Sequence, residues 1–310
     1  MREQEIIIES KYSLAGTLTL PNDEPPPFPL LVMVHGSGDL DRDENTKRRP
    51  INAFKEISDF AVKKGIATLR YDKRGVGKSE ADFYKAGLHD LIEDAVAAIR
   101  FGKAHPTVDD QKIILLGHSE GSIIAPAIHE EEPVQGLILL SGTAEPLAET
   151  TAWQREMMKE DIRTSTGLEG WLLHLLKVDK KIEKMNRKLI DKMKNSTEDV
   201  IRYKGKKINA KWDREHRNYN VRDYLPRVEV PVLAITGTKD VQVKPQQLDD
   251  IANLTAGPCE THLIEDLTHI LRKTDEQRFS KILKDYKRQV KEPVDQTVLE
   301  IIGKWLNKIT

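Results

Sequence analysis

Four stretches of this 310-residue chain are almost wholly apolar and are bounded by glycine: PLLVMVHG (29–36), GIATLRYD (65–72), KIILLGHS (112–119) and GLILLSG (136–142). A strand with one wet face alternates apolar and polar side chains. A near-continuous apolar run instead needs cover on both faces, which is the environment of a parallel sheet sandwiched between helices. Between the runs lie amphipathic segments of helical period, with Ile51, Phe54, Ile57, Phe60 and Ala61 forming one stripe and Leu91, Ile92, Ala95, Val96 and Ile99 another. Strand and helix in alternation, with helices long enough to serve as crossovers, predict an α/β fold built on a doubly wound sheet. Two further short strands are expected before it, at Ile6–Ile8 and Ser13–Leu20, followed by the proline-rich turn PNDEPPPFP.

The alternation stops after the fourth run. Residues 145–223 offer no strand-like run, but Trp171, Leu172, Leu175, Leu176, Ile182, Met185, Leu189, Ile190 and Met193 keep helical spacing. The sheet pattern resumes in PVLAITGTKD (231–240) and CETHLIED (259–266), and the chain closes on an amphipathic helix in VDQTVLEIIGKWLNKI. The expected organisation is one core domain formed by 1–144 and 224–310, with 145–223 inserted as a helical unit. Residues 151–222 carry about eight more basic than acidic residues, although the whole chain balances 49 Lys plus Arg against 50 Asp plus Glu. That near-neutrality gives no global pull toward nucleic acid or an anionic membrane. The N-terminal apolar run is only three residues long, and no stretch approaches a membrane span. The single cysteine, Cys259, excludes an intramolecular disulfide. The expectation is a cytoplasmic protein without metal or cofactor, acting on a small molecule.

Chemistry concentrates at GHSEG (117–121). A bare Gly-x-Ser-x-Gly match arises by chance in roughly one chain in ten of this length, so its surroundings must carry the argument. Here it follows the buried-strand run IILL and precedes the helix-like SIIAPAIHEE. Strand, sharp turn and helix make a nucleophile elbow, in which Ser119 projects from a strained backbone and Gly117 and Gly121 leave room for the turn. A serine hydroxyl needs a base, and the base needs a group to orient it. Asp240 at the end of VLAITGTKD and His269 after THLIEDLT occupy the expected positions, in the order Ser, acid, His. Asp266 competes with Asp240 but lies only three residues before His269. His262 falls within a strand run, His118 reads as structural and directed away from the site, and His129 has no metal-ligand spacing. The Gly-rich turn HGSG (35–38) suggests the backbone N–H of Ser37, with Gly38 as alternate, as one oxyanion donor, and the N–H of Glu120 as the other. GVGKS (75–79) imitates a phosphate loop, but that motif needs glycine where Asp72 stands.

Together HGSG followed by DRDEN, then YDKRGVGKS, GHSEG, GTKD and a late histidine resemble the α/β-hydrolase superfamily, in particular its soluble carboxylesterase-type members. The resemblance runs from about residue 13 to the C-terminus and is weakest across the insertion. It implies a mostly parallel eight-stranded sheet with a cap inserted after strand six, a catalytic triad of Ser119, Asp240 and His269, and hydrolysis of small acyl esters. A serine peptidase or acylaminopeptidase and a thioesterase are the alternatives on the same scaffold, and a non-catalytic ligand-binding protein is a remoter one. Trp153 and Trp171 are candidate acyl-pocket residues within the insertion. The carboxylate of Glu120, placed beside a developing oxyanion, calls for a cationic partner. DRDENTKRR offers Arg42, Lys47, Arg48 and Arg49, and Arg42 is the expected tie to the oxyanion loop.

Overall fold

The structure, a computed structural model, describes residues 1–310 except Asp23, Glu24, Arg48 and the side chain of Glu169. Ten strands are present among the described residues: β1 (Arg2–Glu9), β2 (Ser13–Leu20), β3 (Phe28–Val34), β4 (Ala67–Tyr71), β5 (Val108–His118), β6 (Gly136–Leu140), β7 (Val200–Tyr203), β8 (Lys206–Asn209), β9 (Val232–Gly237) and β10 (Cys259–Ile264). Eight of them form one sheet in the order β1-β2-β4-β3-β5-β6-β9-β10. The β1/β2 and β2/β4 pairs are antiparallel, and every other neighbouring pair is parallel. The apolar runs thus occupy the centre of a mostly parallel sheet.

Among the described residues ten α-helices accompany the strands: α1 (Ala53–Val62), α2 (Leu88–Ala104), α3 (Glu120–Glu131), α4 (Leu147–Arg163), α5 (Gly167–Leu175), α6 (Val178–Lys194), α7 (Ala210–Asn218), α8 (Gln247–Leu254), α9 (Phe279–Gln289) and α10 (Gln296–Ile309). Successive side chains of a strand point to opposite faces, and the core divides accordingly. Leu30, Val32, Ile113, Leu115, Leu137, Leu139, Val232 and Ala234 pack with residues of α2, α3 and α8. Their immediate neighbours Leu31, Met33, Ile114, Leu116, Ile138, Leu140, Leu233 and Ile235 pack with α1 and α10. Neither face is left to solvent, which is why these strands lack polar alternation.

Between β6 and β9 the chain runs through α4 to α7 and the hairpin of β7 and β8. The hairpin departs from the expectation of a stretch without strands. Each arm has only four residues, too few to raise a periodic signal. Its turn is made by Lys204 and Gly205, both at positive φ (48° and 79°), as a tight two-residue hairpin requires. Lys211 of α7 pairs with Asp90 of α2 at 2.6 Å, and Asn209 Nδ2 donates to the Ala86 carbonyl at 2.7 Å. On the other side, Gln154 Nε2 of α4 donates to the Gln242 carbonyl at 2.6 Å, and Arg278 pairs with Asp161. The segment between β6 and β9 is therefore fastened to the rest of the chain at two places.

Phe54 is fully buried between α1 and the sheet. Phe54→Ala is expected to cost about 3–5 kcal/mol in urea unfolding. Trp171, 60% exposed on α5, should change stability by less than about 0.5 kcal/mol when replaced by Ala.

Candidate active site

Strand β5 ends at His118, and α3 begins at Glu120, so the whole reversal of direction falls on Ser119. Its backbone lies at φ 54°, ψ −113°, a conformation that L-residues rarely adopt. The turn is possible because the helix comes very close to the sheet. A Cβ on Gly117 would lie 2.3 Å from the Gly121 carbonyl oxygen, and one on Gly121 would lie 2.1 Å from that of Val34. Glycine at both positions is therefore a steric requirement. Ser122 Oγ secures the turn further: its one O–H lies 2.8 Å from each of two acceptors, the carbonyl oxygens of Gly117 and Leu140.

Loops following β9 and β10 bring two more side chains to this turn. Ser119 Oγ is 2.9 Å from His269 Nε2, and His269 Nδ1 is 2.8 Å and 3.1 Å from the two carboxylate oxygens of Asp240. Asp240 Oδ1 also accepts the backbone N–H groups of Gln242 (2.8 Å) and Val243 (3.0 Å), so the carboxylate cannot swing away. Both His269 and Asp240 are buried. Asp266, the competing carboxylate, sits 3.9 Å from Lys239 Nζ, and it is Asp240 that holds the imidazole's Nδ1.

Glu120 is 4% exposed and lies within a buried polar cluster. Its Oε2 accepts from Lys73 Nζ at 2.9 Å, and its Oε1 accepts from Trp212 Nε1 at 2.5 Å. His216 Nε2 lies 2.9 Å from Oε1 but off the line of a hydrogen bond. Burial alone would raise the Glu120 pKa, but the Lys73 charge and His216 outweigh it and hold the carboxyl well below its ordinary range. The expected partner, Arg42, is elsewhere: it binds Asp72, Glu5 and Thr17. Arg48, another of the four cations considered, lies outside the described residues. Lys73 comes from the YDKRG segment after β4, and its Nζ also reaches the Gly36 carbonyl at 2.5 Å. The elbow is thus joined to the HGSG turn by Lys73, not by the arginine expected from the sequence. α7 supplies Trp212 and His216 to the same carboxylate.

A cavity of about 150 Å³ opens at Ser119, lined among others by Ser37, Leu40, Arg49, Ile51, Ile270 and Tyr286. Ser37 faces it; Gly38 (φ 105°) does not line it. Neither candidate tryptophan lines it. Trp153 borders a separate cleft with Met157 and Phe279, and Trp171 is exposed. His118, read from the sequence as directed away from the site, instead lines the cavity, with its ring 5.1 Å from that of His269 (centroid to centroid). Glu44, absent from that reading, is 1% exposed and accepts from the backbone N–H of Gly36 at 2.9 Å. Cys259 lies outside this constellation, and burial pushes its thiol up to about 11.

Residues 45–276 match the sequence profile of a family described as serine aminopeptidase, S33. The chain belongs to the serine aminopeptidase S33 family. The matched region contains Ser119, Asp240 and His269. Esterase EstD of Thermotoga maritima is 28% identical over 297 residues, 95% of this chain, and the chain spans 66% of that relative's length. Among solved structures, Est1E of Butyrivibrio proteoclasticus with bound ferulic acid superposes with a TM-score of 0.59 at 20% identity, covering 93% of this chain and 99% of that one. An esterase of Pyrococcus furiosus gives a TM-score of 0.61 at 16% identity, covering 99% and 91%. These likenesses establish the α/β-hydrolase fold.

In this S33 family member, Glu120→Gln removes the charge that compensates buried Lys73, at an expected cost of about 3 kcal/mol near neutral pH. A carboxyl with a depressed folded pKa stabilises fully above its unfolded value of about 4.5, and that contribution fades as pH falls toward the folded value. Denaturant melts of the two proteins should therefore differ most above about pH 5 and converge as the pH is lowered below about 4.5.

Proposed function

We propose that this protein is a serine hydrolase that cleaves small carboxylic esters through an acyl-enzyme intermediate on Ser119. The observation that carries the proposal is the unbroken line from Ser119 Oγ through His269 to Asp240, at hydrogen-bond distances throughout. In the proposed mechanism Ser119 Oγ attacks the acyl carbonyl while His269 Nε2 takes its proton. Asp240 accepts the Nδ1–H bond, which fixes the tautomer and stabilises the imidazolium. The backbone N–H groups of Ser37 and Glu120 serve as the oxyanion hole. Glu120 stands at the first turn of α3, where N–H groups have no partner within the helix. The tetrahedral intermediate collapses, its ester C–O bond breaks, and the alcohol leaves with the proton held by His269; water then attacks the acyl-enzyme with His269 as base, His269 returns that proton to Ser119 Oγ, and the acid leaves.

The carboxylate of Glu120 does not oppose this chemistry, because Lys73 neutralises it and its side chain is spent on Lys73 and Trp212. The segment 145–223 acts as a cap in this reading, with 1–144 and 224–310 as the core. A 150 Å³ space admits a group about the size of benzene, which suits short acyl chains.

A peptidase reading is favoured by the family's description. An aminopeptidase has to hold a free α-ammonium group, for which a carboxylate in the pocket is the natural partner. Among the described residues lining the Ser119 cavity, Glu44 is the one carboxylate; its Oε1 is engaged by Gly36 N–H and His118, and its Oε2, though without a partner, is buried away from solvent. Arg49 lines the same space and would repel an ammonium group. Ester substrates therefore fit the site better. The name of Esterase EstD, the curated relative, supports the same choice. No helix among the described residues is long and apolar enough to cross a membrane, and a cytoplasmic location is part of the proposal.

The test compares kcat/KM on p-nitrophenyl acetate and butyrate with that on aminoacyl p-nitroanilides and acyl thioesters. Oxygen esters should be the best substrates by at least about tenfold; anilide turnover at comparable kcat/KM would favour the peptidase. Ser119→Ala should lower kcat by about 10⁴-fold or more, and Asp240→Asn by about 10⁴-fold.

A further inference from the structure

The motif DRDEN forms a short turn after β3, and almost every side chain in it has a defined partner. Asp41 Oδ1 accepts the N–H groups of Asp43 and Asn45, both at 2.9 Å. Arg42 holds Asp72, Asp43 pairs with Arg70, and Asn45 bonds Asn52. The turn is thereby fixed to the sheet and to α1. What it delivers is Glu44, at φ 65° and almost fully buried. Glu44 Oε1 accepts the backbone N–H of Gly36 at 2.9 Å and lies 2.8 Å from His118 Nδ1, while its Oε2 is buried without a hydrogen-bond partner. The far side of the same ring, His118 Nε2, is 2.9 Å from the carbonyl oxygen of His269.

Chemistry constrains the protons here. A backbone carbonyl can only accept, so His118 Nε2 must carry hydrogen. One proton lies between Glu44 Oε1 and His118 Nδ1, and the Gly36 N–H received by that oxygen favours the ionised carboxylate, which can only accept, so the proton is assigned to Nδ1. Both ring nitrogens are then protonated and His118 is an imidazolium, paired with the Glu44 carboxylate. We infer that Glu44 and His118 form a buried positioning pair that ties the HGSG turn, the nucleophile elbow and the His269 loop into one unit, and sets a fixed positive charge beside the base. This inference rests on the serine-hydrolase reading of the site.

The titration directions agree with that geometry. Burial raises Glu44 and lowers His118, but each is overridden by the opposite charge of the other, so that Glu44 is lowered and His118 raised. The charged and titratable groups that face the pair are Asp240 and His269 on the loops after β9 and β10, His35 at the end of β3, and Arg272. Burial, with Lys73 nearby, brings His35 down to about 4, so at neutral pH it adds no charge. Tethering by a carbonyl acts on the His269 backbone, whereas Asp240 acts on its ring. The two together leave the imidazole little freedom to rotate away from Ser119.

The pair is tested by nitrogen NMR of the wild-type protein together with kinetics of two variants. In ¹⁵N-labelled protein, with the His118 signals assigned through His118→Asn, both ring nitrogens should show the protonated type of shift from pH 6 to pH 8. A neutral His118 at pH 7 would overturn the inference. Glu44→Gln and His118→Asn should each lower kcat/KM on p-nitrophenyl butyrate by about 10²-fold. In His118→Asn the acid limb of the kcat/KM profile should move up by about one pH unit, because a positive charge that opposes protonation of the base is gone. The double variant should be no worse than about threefold below the weaker single variant, as for residues that act as a unit. Additive losses, or variants within twofold of wild type with an unmoved acid limb, would contradict the role. Melting curves of each variant separate a folding defect from a kinetic one. A wild-type protein inert toward every ester would sink the serine-hydrolase reading through a different readout from the one that would sink the imidazolium.

Discussion

Everything at this site depends on one close approach, that of α3 to the C-terminal ends of β3 and β5. The backbone at Ser119 is held at positive φ because the chain must reverse within a single residue while the helix presses on the sheet. Gly117 and Gly121 are the two points of contact, each with less than 2.5 Å between its virtual Cβ and a backbone oxygen. Strain of this kind costs about 1–3 kcal/mol and persists only where the surroundings over-determine it. Here the surroundings are the two apolar layers on the sheet faces, which fix β5 and α3 independently of the turn that joins them. The strain raises the serine side chain out of the sheet's plane, within reach of loops that follow β9 and β10.

A second layer of organisation is electrostatic and mostly buried. Lys73 joins Glu120 to the Gly36 carbonyl, Glu44 joins the Gly36 N–H to His118, and His118 joins the elbow to the His269 carbonyl. Gly36 is held at both of its polar atoms. Burial of these charges is costly in isolation and tolerable only because each has an opposite partner and further hydrogen bonds. α7 brings Trp212 and His216 to Glu120, so the inserted segment and the elbow share one buried carboxylate. A change in the position of α7 would thus be felt at the residue whose backbone N–H is proposed to bind the oxyanion.

Much of this was legible in the chain itself, for physical reasons that also explain what was not. Buried parallel strands are unbroken apolar runs, so the sheet strands could be placed within a few residues, although β5 extends back to Val108 through the polar residues Asp109–Gln111. Asp240 lies three residues past such a strand, whereas His269 lies five residues past β10, a half-exposed strand, and was singled out by the chain order Ser, acid, His. The hairpin β7/β8 is short and polar, and carries no period to read. Ion pairs are harder still, since attraction between charges leaves no local pattern. Arg42 and Lys73 were equally available to Glu120, and only the packing of the YDKRG segment against HGSG selects the lysine. Glu44 was hidden within a charged motif whose other members hold the turn in place. Trp153 and Trp171 were attractive as large apolar side chains in the insertion, but the space beside Ser119 is lined by Leu40, Ile51, Ile270 and Tyr286 from the core.

The central claim is that Ser119 is a nucleophile activated by His269. The most direct measurement is intact-mass and peptide mapping after treatment with a small alkyl fluorophosphonate. The account predicts one phosphonyl group per chain, on the peptide containing Ser119, with labelling lost in Ser119→Ala and slowed by several powers of ten in His269→Ala. An unlabelled wild-type protein, or a label on another residue that persists in Ser119→Ala, would contradict it.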